Sequence, residues 1–144
     1  MLSTKFPSLQ KYLASSPYLA LYFASSWCPD CTSITPIVSS MYTHKGLNVV
    51  YVSSDNSKEQ MEKYYEKEKI PFPSIPFENT EERTELKLQF GACASKEVPM
   101  IEGMKTRKKY GIPTLVVLDC KSQDIAMVMT DTEIKEDGLK SLEI

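Results

Sequence analysis

Tyr18-Leu19-Ala20-Leu21-Tyr22-Phe23 is an unbroken apolar run, with Ser15-Ser16-Pro17 before it and Ser25-Ser26 after it. Polar residues do not alternate through it, so as a strand it must be buried on both faces, which is the place of a central, parallel-paired strand. A strand of that kind needs a layer on each side, and the next stretch of chain supplies helices. From Pro29 the apolar residues Ile34, Ile37, Val38, Met41 and Tyr42 recur at helical spacing, and Gly46 marks the end of that helix. Leu47 to Val52 reads as a second buried strand. Ser57 with Gln60 forms a capping-box pattern that opens a helix with Met61, Tyr64 and Tyr65 on one face.

The alternation extends in both directions. Phe6 to Ala14 has the spacing of a short first helix. Ile70 to Phe77 holds three prolines in eight residues, which forbids a regular helix and suits an extended connection. Glu81 to Phe90 and Met100 to Tyr110 read as further helices, and Thr114 to Leu118 with Ile125 to Met129 as a strand hairpin. Thr130 with Glu133 repeats the capping-box pattern, predicting a closing helix over Asp131 to Leu142. At 144 residues, with 42% apolar content and no repeat, low-complexity tract or linker, the expectation is one domain over 1–144.

Composition narrows the function classes. Seventeen basic residues against nineteen acidic give a net charge of −2, so no overall positive field is available to hold nucleic acid. The longest apolar run, Tyr18 to Ala24, is far short of the roughly 20 residues that span a bilayer, so no membrane partner is expected. Met1 to Ser16 shows no compact basic region followed by a sustained apolar one, so no secretory signal is expected. Two of the four cysteines stand together as Cys28 and Cys31, which points to a working dithiol in a reducing compartment. The expected location is the cytoplasm, with the nucleus as a second setting.

The pair sits in Trp27-Cys28-Pro29-Asp30-Cys31, where the buried strand hands over to the amphipathic helix. Cys28 falls at the helix N-cap, where free N–H groups and the positive end of the helix dipole favour thiolate over thiol. Such positions lower a thiol pKa from about 8.5 towards about 7. Pro29 takes the first helical position, where a missing N–H costs nothing. Cys31 lies one turn inside and is suited to resolve a mixed disulfide rather than to start one. Inert core cysteines and half of a zinc site are the alternatives. A zinc site needs two further ligands at close spacing, and Cys93, Cys120 and His44 are isolated from one another, so no metal is expected.

Other residues divide between bland and sharp readings. Trp27, just before the thiol, reads as an indole facing substrate rather than a core aromatic. Lys105, Arg107, Lys108 and Lys109 form a basic run with the character of a solvated face, and Glu62 to Lys69, with alternating signs, reads as a solvated helix. Cys93 and Cys120 read as small apolar residues, and His44 as a favourable partner of a helix C-terminus.

The chain resembles the thioredoxin superfamily, and within it the tryparedoxin and nucleoredoxin branch. The resemblance is carried by Tyr22 to Cys31 with Thr35-Pro36, by Val52-Ser53-Ser54-Asp55, by Ile75-Pro76-Phe77 and by Gly111-Ile112-Pro113-Thr114-Leu115, in that order over roughly residues 18 to 130. It implies an α/β thioredoxin fold, a central mixed sheet of four to five strands with helices on both faces. It also implies that the Ile112–Pro113 bond is cis and faces the dithiol, so that the backbone at Ile112 can pair with an extended substrate segment. Trp27, Pro29, Asp30, Ile112 and Pro113 are thus the expected substrate-binding positions, with Cys28 and Cys31 catalytic.

Three departures stand out. Tyr22 occupies the place of the buried aspartate of thioredoxins proper, as in tryparedoxin-like members, so no carboxylate is assigned as proton acceptor for Cys31. Pro29-Asp30 stands between the cysteines where the branch commonly has Pro-Pro or Pro-Gly. Gly91 to Lys109 reads as an insertion ahead of the proline loop. The function expected is a thiol–disulfide oxidoreductase acting on disulfide-containing proteins. No nucleotide-binding glycine pattern occurs, so electrons are expected from a reductase or a low-molecular-weight thiol and no cofactor is expected. The alternative is a redox-regulated binding module of nucleoredoxin type that turns over no substrate.

Overall fold

The computed structural model describes residues 1–142 and 144. Strand β1 (Tyr18–Ala24) pairs parallel with β2 (Asn48–Ser53) and antiparallel with β3 (Thr114–Asp119), and β3 pairs antiparallel with β4 (Ile125–Thr130). The order β2-β1-β3-β4 makes a four-stranded mixed sheet with β1 inside it. Successive β1 side chains enter different cores. Ala20, Tyr22 and Ala24 pack with Cys31, Val38 and Met41, while Leu19, Leu21 and Phe23 pack with Phe6, Leu9, Leu86 and Phe90. The unbroken apolar run is therefore two alternating half-stripes, each fully covered.

Helices on the first face are α3 (Pro29–Lys45) and α4 (Lys58–Glu68), and those on the second are α1 (Leu2–Lys5), α2 (Gln10–Ser15) and α5 (Thr80–Phe90). Gly46 ends α3 with φ +68°, the left-handed conformation its lack of Cβ permits. The Ser57 hydroxyl accepts the Gln60 N–H at 3.1 Å, while the Gln60 amide oxygen accepts the Asn56 N–H at 2.7 Å. The proline-rich connection lies extended beside β2, where the Tyr51 N–H donates to the Pro73 carbonyl and the Ile75 N–H to the Tyr51 carbonyl, both at 2.9 Å.

Three predicted helices differ. The first, expected over Phe6 to Ala14, begins as a 3-10 turn (Pro7–Leu9) opened by Pro7 and becomes α-helical only from Gln10, while α1 is a separate turn ahead of it. Over Met100 to Tyr110 only α6 (Met104–Arg107) is helical. Ile101 is extended and Gly103 takes φ +86°, while Ser95–Met100, containing Pro99, is a separate 3-10 segment. The closing α-helix is replaced by a turn and a 3-10 segment, Glu136–Leu142. Glu133 there accepts the Thr130 N–H and hydroxyl at 2.9 and 2.6 Å, but its own N–H donates to the Thr130 carbonyl, so only half of the capping box forms and a turn follows. Gly138 lies so close to Met129 that a Cβ would stand 2.9 Å from its sulfur, and Ile134 and Leu139 are buried against the first core. Tertiary docking overrides the local signal. No helix among the described residues is long and apolar enough to cross a membrane.

Candidate active site at the end of β1

β1 ends at Ala24, and a short loop delivers Cys28 to the N-cap of α3 with extended backbone (φ −91°, ψ 116°) and Pro29 at the first helical position. The Thr32 N–H donates to the Cys28 carbonyl at 3.0 Å, closing the first turn. The two thiols are unequal. Cys28 is 8% exposed and Cys31 fully buried, and neither is in a disulfide. Burial pushes the Cys31 thiol far above its usual range, and the neighbouring Cys28 sulfur adds to the effect. Asp30 and Pro29 are exposed beside them.

Below the pair three hydroxyls replace a carboxylate. The Tyr22 hydroxyl reaches the Cys31 carbonyl at 3.3 Å and the Thr35 hydroxyl at 2.9 Å, and Thr35 in turn meets the Tyr64 hydroxyl at 2.6 Å and donates to the Cys31 carbonyl at 2.8 Å. Burial holds the Tyr22 phenol well above its ordinary range and raises that of Tyr64 to about 12, so both stay protonated. Tyr64 and Thr32 also line a surface cavity of about 450 Å³ between the first turn of α3 and α4.

The Ile112–Pro113 bond is cis. Thr114, the next residue, pairs with Phe23, so this turn stands at the same end of the sheet as the loop to Cys28. The Thr114 hydroxyl donates to the Gly111 carbonyl at 2.7 Å and holds the turn; Pro113 is buried and Ile112 half-buried. Trp27 is 37% exposed, and its indole N–H donates to the Ser54 carbonyl at 2.9 Å. The sequence expectations brought together here are Trp27, Cys28, Pro29, Asp30 and Cys31 on one segment, with Ile112 and Pro113 on a neighbouring turn.

Several residues at the site carried no recognisable sequence signal. Asp55, buried at the end of β2, accepts from the Ser25 hydroxyl, the Ser26 N–H and hydroxyl, and the Tyr51 and Ser53 hydroxyls, at 2.6 to 3.2 Å. It thereby holds the loop immediately before Trp27. Alone in the sequence it reads as a turn aspartate, and only its segment featured in the family resemblance. Lys96 places its ammonium 4.1 Å from the Trp27 ring centroid and donates to Asn56 at 2.7 Å. Next to it, Glu97 pairs with the buried Lys87 at 2.6 Å and accepts from the Ser54 hydroxyl and the Ala94 N–H.

The remaining candidates lie elsewhere. Cys93 and Cys120 are buried singly, His44 is exposed in the last turn of α3, and Lys105, Arg107 and Lys109 are exposed on and after α6. No group of three or more His, Cys, Asp or Glu side chains that could hold a metal occurs among the described residues.

A mixed sheet with a cysteine pair at the first helix start and a cis proline at the same sheet end defines a thioredoxin-like domain. Residues 16–125 match the family model described as thioredoxin-like, and the chain belongs to that family. Its relatives lie on the tryparedoxin and nucleoredoxin branch. It is 27% identical to nucleoredoxin of Danio rerio over 113 residues, 75% of this chain and 22% of that protein. Tryparedoxin II of C. fasciculata superposes with a TM-score of 0.64 at 28% identity, covering 92% of this chain and 74% of that one. A tryparedoxin II structure complexed with glutathionylspermidine gives 0.63 at 27% identity, covering 95% and 78%. The chain spans about a quarter of the length of the nucleoredoxins it matches.

Proposed function

We propose that this chain reduces disulfides of proteins through Cys28 and Cys31. The Cys28 thiolate attacks one substrate sulfur, forming a mixed disulfide and expelling the other sulfur as a thiolate that takes up a proton. Cys31, after giving up its proton, attacks the Cys28 sulfur and releases the second substrate thiol. The substrate disulfide gains two electrons and two protons, and Cys28–Cys31 is left as a disulfide. The observation that carries this reading is the inequality of the pair: Cys28 at the rim on a helix N-terminus, Cys31 wholly buried one turn inside. Burial keeps Cys31 protonated until the mixed disulfide forms, which suits a resolving thiol.

Trp27, Pro29 and Asp30 supply one side of the substrate surface, and the turn at Ile112 and Pro113 the other. Electrons return from a reductase or a low-molecular-weight thiol; a related tryparedoxin complexed with glutathionylspermidine supports a thiol of that kind. The setting proposed is a reducing one, cytoplasmic or nuclear. Cys31→Ser should accumulate covalent mixed disulfides through Cys28, seen by non-reducing electrophoresis and mass spectrometry, while Cys28→Ser should reduce no model disulfide. Partners retained only noncovalently by Cys31→Ser would indicate a redox-regulated binding module instead. A pair potential between about −200 and −270 mV is expected for a reductant.

A further inference from the structure

A cavity of about 330 Å³ opens between α5, the Ser54–Asn56 turn and the 95–101 segment. It adjoins the indole, because Ser54 in its wall accepts the Trp27 N–H and Lys96 on its rim covers the ring. Arg83 lines it at only 8% exposure. Its guanidinium stacks on Phe77 at 4.2 Å and donates to the Phe77 carbonyl (2.9 Å), the Thr80 hydroxyl (3.2 Å) and, weakly, the Ser53 carbonyl (3.5 Å). Every one of these acceptors is neutral. No carboxylate among the described residues lies within ion-pair distance of Arg83, and two of its five N–H groups are unspent.

The two acids in the wall are already engaged. Glu97 is bound by Lys87, the Ser54 hydroxyl and the Ala94 N–H, and Asp55 by five donors. Lys87 offsets Glu97, and Asp55, held by neutral donors, keeps its negative charge, so Arg83 and Lys96 leave the wall with one net positive charge. A planar guanidinium beside an ammonium suits a carboxylate, while Asp55 and Glu97 oppose the larger charge of a phosphate.

We propose that this cavity is a carboxylate subsite, binding an Asp or Glu side chain of the disulfide substrate next to its reacting cysteine. The substrate role rests on the reductase reading above, whereas binding does not. The test uses matched peptides with Glu, Gln or Lys beside the cysteine. Serine-for-cysteine versions are titrated against the fluorescence of Trp27, the chain's single tryptophan, and disulfide versions are followed in single-turnover reduction by the reduced chain.

The Glu peptide should bind more tightly than the Gln peptide, with the Lys peptide weakest, and the preference should shrink at about 0.5 M salt. Lys96→Gln should cut the Glu-to-Gln preference about two- to fivefold, the contribution of an exposed ion pair, and Lys96→Arg should restore it. Arg83→Lys keeps the charge, loses the fork and should cut it further; if that variant folds poorly, the Lys96 pair carries the test. Equal affinity for the Glu and Gln peptides, or a ratio untouched by Lys96→Gln, overturns the subsite. Reduction of all peptides without preference refutes the subsite and leaves the reductase standing. Preferential binding without reduction does the reverse.

Discussion

Removing the Asp55 carboxylate should loosen the loop that carries the dithiol while also destabilising the whole domain. Five donors converge on it, and they divide by access to water. The Ser26 N–H and hydroxyl, half-buried, can turn to solvent at little cost. The hydroxyls of Ser25, Tyr51 and Ser53 are at 0% exposure and lose this acceptor outright. A buried donor left without a partner costs about 1–3 kcal/mol, and relief of the aspartate's own desolvation offsets part of the total, so Asp55→Ala should cost about 4 kcal/mol. With a urea m-value of about 2 kcal/mol/M, the unfolding midpoint should fall by about 2 M at unchanged m. Asp55→Asn keeps one acceptor oxygen but turns an amide donor towards donors, and should lie between. Trp27 fluorescence reports the loop, whose N–H at Trp27 also bonds the Ser25 hydroxyl at 3.4 Å. In a double-mutant cycle, Tyr51→Phe should cost clearly less in the Asp55→Ala background than alone. A midpoint loss under about 0.5 M, or strict additivity with Tyr51→Phe, refutes the reasoning.

Burial of Cys31 makes stability fall with alkaline pH. The folded thiol keeps its proton after the unfolded one ionises near 8.5, so its contribution is intact below about pH 8.5. Above it, stability should decline by up to about 1.4 kcal/mol per pH unit. Urea midpoints of the reduced protein between pH 8 and 10 should therefore drop more steeply than those of Cys31→Ala, and equal slopes would count against this account. Lys87→Met should cost about 3–5 kcal/mol, because it leaves Glu97, 14% exposed, without its cation. Lys87→Met/Glu97→Gln should lose less than the sum of the single changes in the same urea assay, and it should shift Trp27 emission through the Ser54 contact.

Local chemistry was legible wherever one residue type answers one local need. Pro29 and Gly46 bracket α3 because a missing N–H suits a first turn and a missing Cβ suits a left-handed cap. Ser57 caps α4 for the same kind of reason. The capping-box pattern at Thr130 and Glu133 misled, since the Glu133 side chain can reach back to the Thr130 N–H in a turn as well, and the docking of Ile134, Leu139 and Gly138 sets the backbone conformation beyond it. The helix expected over Met100 to Tyr110 failed because Gly103, with positive φ, caps a helix that starts only at Met104 and ends at Arg107.

The apolar run at β1, the cysteine pair at a helix start and the amphipathic stripe of α3 needed only neighbours within a few residues, so composition and spacing determine them. Asp55 with its five donors, Lys87 with Glu97, Lys96 over Trp27 and the Tyr22-Thr35-Tyr64 hydroxyls each join residues from separate elements. Such partners meet because β1 pairs with β2, bringing the loops after both strands to one end of the sheet, and because the helices and the 95–100 segment pack around that end. Burial, which makes these contacts costly to break, is a property of the packed layers and of no segment alone.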